Sequence, residues 1–383
     1  MLRPADRIAE IDEFLRFTRE VWPERRQSAL HEIAKRCANC AVSERYAALD
    51  AGLCSECRAG AATEALAADT GREGAELDSV LHEHQGKAKG KYDALVMFSG
   101  GKDSAMLLHL LRRKHPGLRL LALMIDNGFT STVALDNAKR VSSIISDVDY
   151  LTLKPKESLF RKTFRHALTH LQVGGCYSSV DRLGGDLAFD LGRNMAAHLG
   201  APLLLHGGTR AQAQKILGLY TYETPRSWET VRRERSGGYC LVDVYDEEEL
   251  TCWWDGSAWP AERIPRVLFP FCAWPYDEDA IRRDVQRLEL FEKGNENPIA
   301  SNSDLLPVNF AVDTFHLGYS GYEPEFAQLI REKKAAKEPW QLVFESIEYL
   351  AKQGSLLPRC IASTLQRLGL THRQLGLPEP VNP

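Results

Sequence analysis

Nowhere in the 383 residues does an apolar run approach the roughly 18 that a membrane-spanning helix requires. The opening stretch, MLRPADRIAEIDEFL, lacks the continuous apolar segment of a secretory signal. The two absences together predict a cytoplasmic protein. A dominant charge is missing too, since the net charge is −4 and the isoelectric point about 6.3. Binding of RNA would therefore need a local patch rather than the whole surface. No internal repeat or low-complexity tract is visible. What is present is an ordinary globular composition, 44% hydrophobic and 26% charged, on a chain long enough for two or more domains. Nine cysteines in a chain expected to be intracellular point to metal binding or catalysis before disulfides.

Residues 1–36 are charged and helical in period, with Ile8, Ile11, Phe14, Leu15 and Phe17 as an apolar stripe. A helix packed on the body of the protein is expected, in preference to a partner-binding helix. Residues 37–58 hold two cysteine pairs, and 59–90, rich in Ala, Gly and Glu, read as a linker with some helix. From 91 to 217 strands and helices alternate, with strands at 92–98, 119–125, 149–153 and 202–206. That spacing predicts an α/β fold with a doubly wound parallel sheet, whose ligands bind at the carboxyl ends of the strands. Residues 218–265 are aromatic and polar, with turn signals at Ser236-Gly237-Gly238 and Asp255-Gly256-Ser257. They read as an insertion with a hairpin, either a lid or substrate element or plain structural packing. Residues 266–383 are mainly helical by period.

The segment Tyr92 to Ser104, YDALVMFSGGKDS, carries the most information. Ala94 to Phe98 form an apolar run that breaks at Ser99-Gly100-Gly101, and an amphipathic pattern starts at once with Ala105, Met106, Leu107 and Leu108. A strand, a glycine turn and a helix N-terminus gather backbone N–H groups and the positive end of a helix dipole around one point. Phosphate fits there, although the Walker A spacing is absent. Two glycines let the backbone approach phosphate with no Cβ in the way. Ser99 and Ser104 can donate hydroxyl protons, Lys102 can neutralise charge, and Asp103 beside a polyanion is assigned to Mg²⁺. The bland alternative is a serine and glycine helix cap. Cys37-x-x-Cys40 and Cys54-x-x-Cys57 supply four thiolates to one tetrahedral ion, expected to be a structural zinc, with an iron–sulfur cluster as the alternative.

Ser99-Gly100-Gly101-Lys102-Asp103-Ser104 resembles the pyrophosphate-binding loop of the PP-loop ATP pyrophosphatase (adenine nucleotide alpha hydrolase-like) superfamily, which implies the Rossmann-like HUP fold. By that resemblance ATP is the cofactor, split between its α and β phosphates to adenylate a substrate. Met124 would contact the adenine through its backbone, and Asp126 would serve ribose or metal, the alternative for Asp126-Asn127-Gly128 being a tight turn. Gly207 belongs to a second glycine-containing signature near the nucleotide, with Arg210 and Gln212 in reach of phosphate or activated substrate. His206 is favoured as a structural residue over a base, and Lys154 and Lys156 lie on the predicted active edge. In similar tRNA-thiolating enzymes a Cys-x-x-Cys pair precedes this signature; here the segment reads Cys176-Tyr177-Ser178-Ser179. The segment Pro270 to Glu278 resembles the PL-x-x-x-x-E region of those enzymes, so Cys176 and Cys272 are candidates for a catalytic pair, with buried apolar cysteines as the alternative.

The layout is most similar to the N-acetyl sugar amidotransferases of surface-polysaccharide synthesis. Those also begin with two Cys-x-x-Cys pairs followed by the SGGKDS loop, and LTLKPKESLFRKTF at 151–164 resembles their stretch after the third strand. Where they have a Gly-Glu-Asn type sequence, this chain has His206-Gly207-Gly208-Thr209. The resemblance implies amidotransfer to an adenylated carbonyl or amide oxygen of a sugar or related small molecule, with ammonia from a separate glutaminase; a homodimer is one expected assembly, on which the sequence itself is silent. The alternative is sulfur transfer to a tRNA base or small molecule with a sulfur carrier. A nucleotide sensor is the third reading.

Overall fold

Ala94, Leu95 and Val96 are fully buried, and strand Ala94–Met97 is the middle one of a five-stranded sheet. The computed structural model describes residues 2–60, 70–297, 299 and 303–378. Of the expected linker at 59–90, residues 61–69 lie outside the described residues, as do Ser301 and Asn302. The chain divides into two units, one of Leu66–Phe160 with Arg182–Asn302, the other of Met1–Ala65, Arg161–Asp181 and Ser303–Pro383.

The sheet belongs to the first of these. Its order is Asp149–Leu153, Leu120–Ile125, Ala94–Met97, Leu203–His206, Arg266–Leu268, and every pairing is parallel. The inner strands are near-continuous apolar runs because both of their faces are covered. Leu95, Leu121, Leu123, Leu204 and Val267 meet in one core cluster with Phe189 and Phe269. The strand Arg266–Leu268 was not anticipated; three residues at the sheet edge are too short to display a period. Strand order reverses between Ala94–Met97 and Leu203–His206, so the segments leaving their carboxyl ends diverge and open a crevice. The expected hairpin in the insertion is present at Arg235–Ser236 and Tyr239–Cys240. A buried ionic network anchors that region to helix Arg182–Leu199, with Arg193 bridging Asp190 at 2.6 Å and Glu229 at 2.9 Å, and Arg233 reaching Asp190 at 2.6 Å.

The other unit is helical apart from its cysteine-rich segment. In helix Pro4–Arg16 the predicted stripe is buried at Ile11, Phe14 and Leu15. Trp22 is fully buried and donates its indole N–H to Glu345 at 2.9 Å, and Arg26 pairs with the same carboxylate at 2.6 Å. Arg36, next to the first cysteine, is locked between Glu323 at 2.7 Å and Glu348 at 3.2 Å. The cysteine-rich segment is thereby fixed to helices Glu323–Arg331 and Lys337–Lys352. No helix among the described residues is long and apolar enough to cross a membrane.

At the amino end of the central strand Asp93 is completely buried and accepts from the backbone N–H groups of Gly86, Ala88 and Arg119 and from the Arg119 guanidinium. Burial alone would push its carboxyl up, but these donors hold it down at about 2. Its folded value lies below the unfolded one, so its stabilisation is complete above pH ~4 and disappears as pH falls towards 2. Asp93→Asn is expected to cost about 2 kcal/mol at neutral pH and much less near pH 2, measured by urea unfolding across that range.

Candidate functional site

The loop after the central strand is held by its own hydroxyls. Ser99 N–H donates to Ser104 Oγ at 3.2 Å, Gly101 N–H to Ser99 Oγ at 3.2 Å, and Ser104 Oγ to the Gly101 carbonyl at 3.0 Å. Gly100 has φ +75°, and a Cβ there would lie 2.1 Å from the Ala134 carbonyl oxygen, so only glycine fits. Helix Lys102–Lys114 starts from Gly101 with no side-chain cap. The N–H groups of its first turn have no intrahelical carbonyl to meet and face outward with the positive end of the dipole. Gly207, leaving the neighbouring strand, lies so close that a Cβ would stand 3.3 Å from the backbone of Ser104. The two glycine segments therefore border one crevice.

A compact charge cluster stands beside the loop. Lys102 is nearly buried; its ammonium contacts both Asp103 oxygens at 2.8 Å and Glu278 Oε2 at 2.6 Å. Tyr276 Oη lies 3.0 Å from Asp103 Oδ1 and 2.9 Å from Glu278 Oε2, and Arg282 closes the far side of Glu278 at 2.9 Å. Burial would lower the lysine's pKa, but the two carboxylates raise it, so Lys102 stays charged. Burial pushes the Asp103 carboxyl up, with the Glu278 charge adding to it. Glu278 is held low, against burial, by Lys102 and Arg282. Two carboxylates beside a glycine turn and a helix N-terminus are of the donor type that could hold Mg²⁺. Sequence reasoning assigned no role to Tyr276 or Glu278, although Glu278 ends the PL-x-x-x-x-E resemblance that pointed to this segment.

The remaining candidates have definite places. Met124 is buried inside its strand, in register with Thr152. Asp126 accepts from Gly128 N–H at 3.0 Å and pairs with Lys154 at 3.4 Å, so it forms a turn at the same sheet edge. Lys156 pairs with Glu248 at 2.5 Å. His206 accepts the Gly208 N–H on Nδ1 at 2.9 Å, and burial, helped by Arg193, pushes its imidazole down to about 4. It is a neutral, structural residue at physiological pH. Arg210 is engaged by Glu73 and by the Cys272 carbonyl, while Gln212 closes a capping box with Thr209. Cys272 is buried in the sheet's core cluster. Cys176 belongs to the other unit, where burial and the nearby Asp313 carboxylate push its thiol well up.

The four paired cysteines do converge. Every two of their sulfurs lie within 4.8 Å, and those of Cys40 and Cys54 are 3.7 Å apart. A tetrahedral ion with bonds of about 2.3 Å sets its sulfurs about 3.8 Å apart. Burial raises the thiols of Cys37, Cys40 and Cys57; backbone N–H groups of Cys40, Cys54 and Asn39 bring that of Cys37 back down to about 6, while those of Cys40 and Cys57 stay up. Cys37, Cys40, Cys54 and Cys57 can thus hold a single metal ion.

No family model matches the chain. An uncharacterised protein of Methanocaldococcus jannaschii is 39% identical over 67 residues, 18% of this chain and 24% of that protein, so the chain spans about a quarter of its length. Among solved structures, a U34-tRNA thiolase from Methanococcus maripaludis with its 4Fe-4S cluster is 17% identical, covering 84% of this chain and 89% of its own, at a TM-score of 0.38. NMN synthetase from Francisella tularensis is 12% identical, covering 74% of this chain and 94% of its own, at 0.36. An NH₃-dependent NAD synthetase from Campylobacter jejuni, in complex with a nitrate ion, is 12% identical, covering 82% and 100%, at 0.34.

Cys37→Ser is expected to lower the metal content of the purified protein and to destabilise the unit holding Arg36, Glu323 and Glu348 by several kcal/mol. Elemental analysis of the purified protein and its thermal unfolding, with and without chelator, check both expectations.

Proposed function

We propose that the chain is a PP-loop ATP pyrophosphatase that adenylates a carbonyl or amide oxygen of a small molecule, a sugar or a related compound, and completes the reaction with ammonia. The observation that carries this reading is the cluster of Lys102, Asp103 and Glu278 beside the Ser99–Ser104 loop. It joins a phosphate cradle to the carboxylates a nucleotide-bound cation requires. Mg²⁺, when bound, would supply charge neutralisation at the phosphates through Asp103 and Glu278.

The chemistry follows from the charges. The β and γ phosphates lie on the loop, and the substrate oxygen attacks the α phosphorus. The bond from the α phosphorus to the bridging oxygen breaks, and both of its electrons leave with pyrophosphate. Lys102 and the N-terminus of helix Lys102–Lys114 stabilise that developing charge. Ammonia then attacks the activated carbon, the carbon–oxygen bond to AMP breaks, and nitrogen gives up a proton. A separate glutaminase would supply the ammonia, and the active assembly would be a homodimer.

The state of the cysteines favours nitrogen over sulfur. Cys176 is a buried thiol pushed away from the thiolate form, and thiolate is the nucleophile that sulfur transfer needs. For the Cys₄ group we propose zinc. Sulfurs this close suit one ion, whereas a cubane cluster binds each thiolate to a different iron and spreads them further apart.

The test is product analysis from ATP, a small-molecule extract and either ammonium or sulfide. AMP and pyrophosphate are expected with ammonium, together with a product slightly lighter than its precursor, as when NH replaces oxygen. A sulfide-dependent, heavier product establishes sulfur transfer instead, and ATP bound without any turnover establishes a sensor. Lys102→Ala should lower the rate of pyrophosphate release by about 100-fold or more.

A further inference from the structure

We infer that Asn137 is a positioning residue that fixes the direction of the Gly100–Gly101 peptide and so sets the phosphate-binding loop in its receptive form. This rests on the ATP-binding reading above. Asn137 lies on helix Thr132–Ile144, far in sequence from the loop, and is 1% exposed. A buried amide is costly unless its polar atoms are paired. Its Nδ2 donates to the Gly100 carbonyl at 3.2 Å and to the Asn295 carbonyl at 3.2 Å, one for each of its two hydrogens.

The consequence follows from peptide geometry. The Gly100–Gly101 peptide is trans, so its C=O and N–H point in opposite directions. With the carbonyl drawn to Asn137, the Gly101 N–H turns into the loop, where it meets Ser99 Oγ at 3.2 Å. The reversed peptide would place a carbonyl oxygen where a phosphate oxygen must sit. Glycines on both sides make that reversal cheap, because neither has a Cβ to oppose it. The loop's own hydroxyl bonds hold Ser99, Ser104 and the N–H side of this peptide, but none of them holds the Gly100 carbonyl. Asn137 supplies that restraint, and the contact of Gly100 with Ala134 keeps the loop against the same helix.

Asn137→Asp keeps the size of the side chain and replaces both donors by oxygens that repel the two carbonyls. Asn137→Ala removes the donors without repulsion, and remains informative if the aspartate variant folds poorly. Arg140→Ala is the control: Arg140 sits one turn further along and donates to the Glu289 carbonyl at 2.7 Å, not to the loop. Calorimetric titration with inorganic pyrophosphate, with α,β-methylene-ATP and with AMP, each with Mg²⁺, reads the effect. Pyrophosphate and the ATP analogue should bind about tenfold more weakly to both Asn137 variants, the order of one lost or misdirected N–H contact. AMP affinity of the folded variants should stay near the wild-type value even where the lost buried hydrogen bonds lower the melting temperature, and Arg140→Ala should leave all of these alone. Unchanged pyrophosphate affinity, or a parallel fall for all three ligands with the melting temperature, overturns the positioning role. If the wild-type protein binds neither pyrophosphate nor the ATP analogue, the ATP-binding reading itself fails, and this inference fails with it.

Discussion

A lysine ammonium held away from water between two carboxylates sets the terms for the sheet-bearing unit. An unpaired buried charge would cost several kcal/mol, and the contacts of Lys102 with Asp103 and Glu278 offset that cost. They also join two stretches of chain more than a hundred residues apart, the helix that starts at Lys102 and the helix Glu278–Arg287. Tyr276 fills the space between the carboxylates and Arg282 balances the second of them. A site of balanced charge can accept a polyanion and its counter-cation together without a large change in net charge.

The loop beside this cluster is built to present donors. Its serine hydroxyls stabilise the turn from within, and glycine is required where the backbone runs against the Ala134 carbonyl. The reversal of strand order places this loop next to Gly207, so the two glycine segments share the border of one crevice. Other polar residues nearby have structural tasks. His206 is neutral and caps its own turn, and Arg210 ties Glu73 to the Cys272 carbonyl.

The nine cysteines divide by environment. Four meet closely enough for a single ion, in a segment braced by Arg36 against two acidic helix residues. Cys176, Cys272 and Cys360 are buried, Cys176 and Cys360 with their thiols pushed up by burial and neighbouring carboxylates, and Cys240 and Cys252 are half-buried. Spacing distinguishes the first group, because two closely spaced pairs carry their own geometry. The other five have no such spacing, and only packing reveals their environments.

Much of the fold was legible in the sequence because its signals are local. Four of the five strands and the helix after the glycine loop announce themselves by apolar runs and period, and SGGKDS and the cysteine pairs by spacing within a few residues. The strand Arg266–Leu268 escaped because three residues show no period. The partners of the loop escaped for a different reason. Glu278 showed only as the end of a similar segment, Tyr276 and Asn137 carried no signal of their own, and Arg210, expected to reach phosphate or activated substrate, pairs with Glu73. Sequence by itself determined that a glycine turn leads from a buried strand into a helix N-terminus and that four thiols lie near one another. Tertiary structure alone decided which distant charges meet that turn and which cysteines are buried, because pairing across the fold depends on packing and leaves no local pattern in the chain.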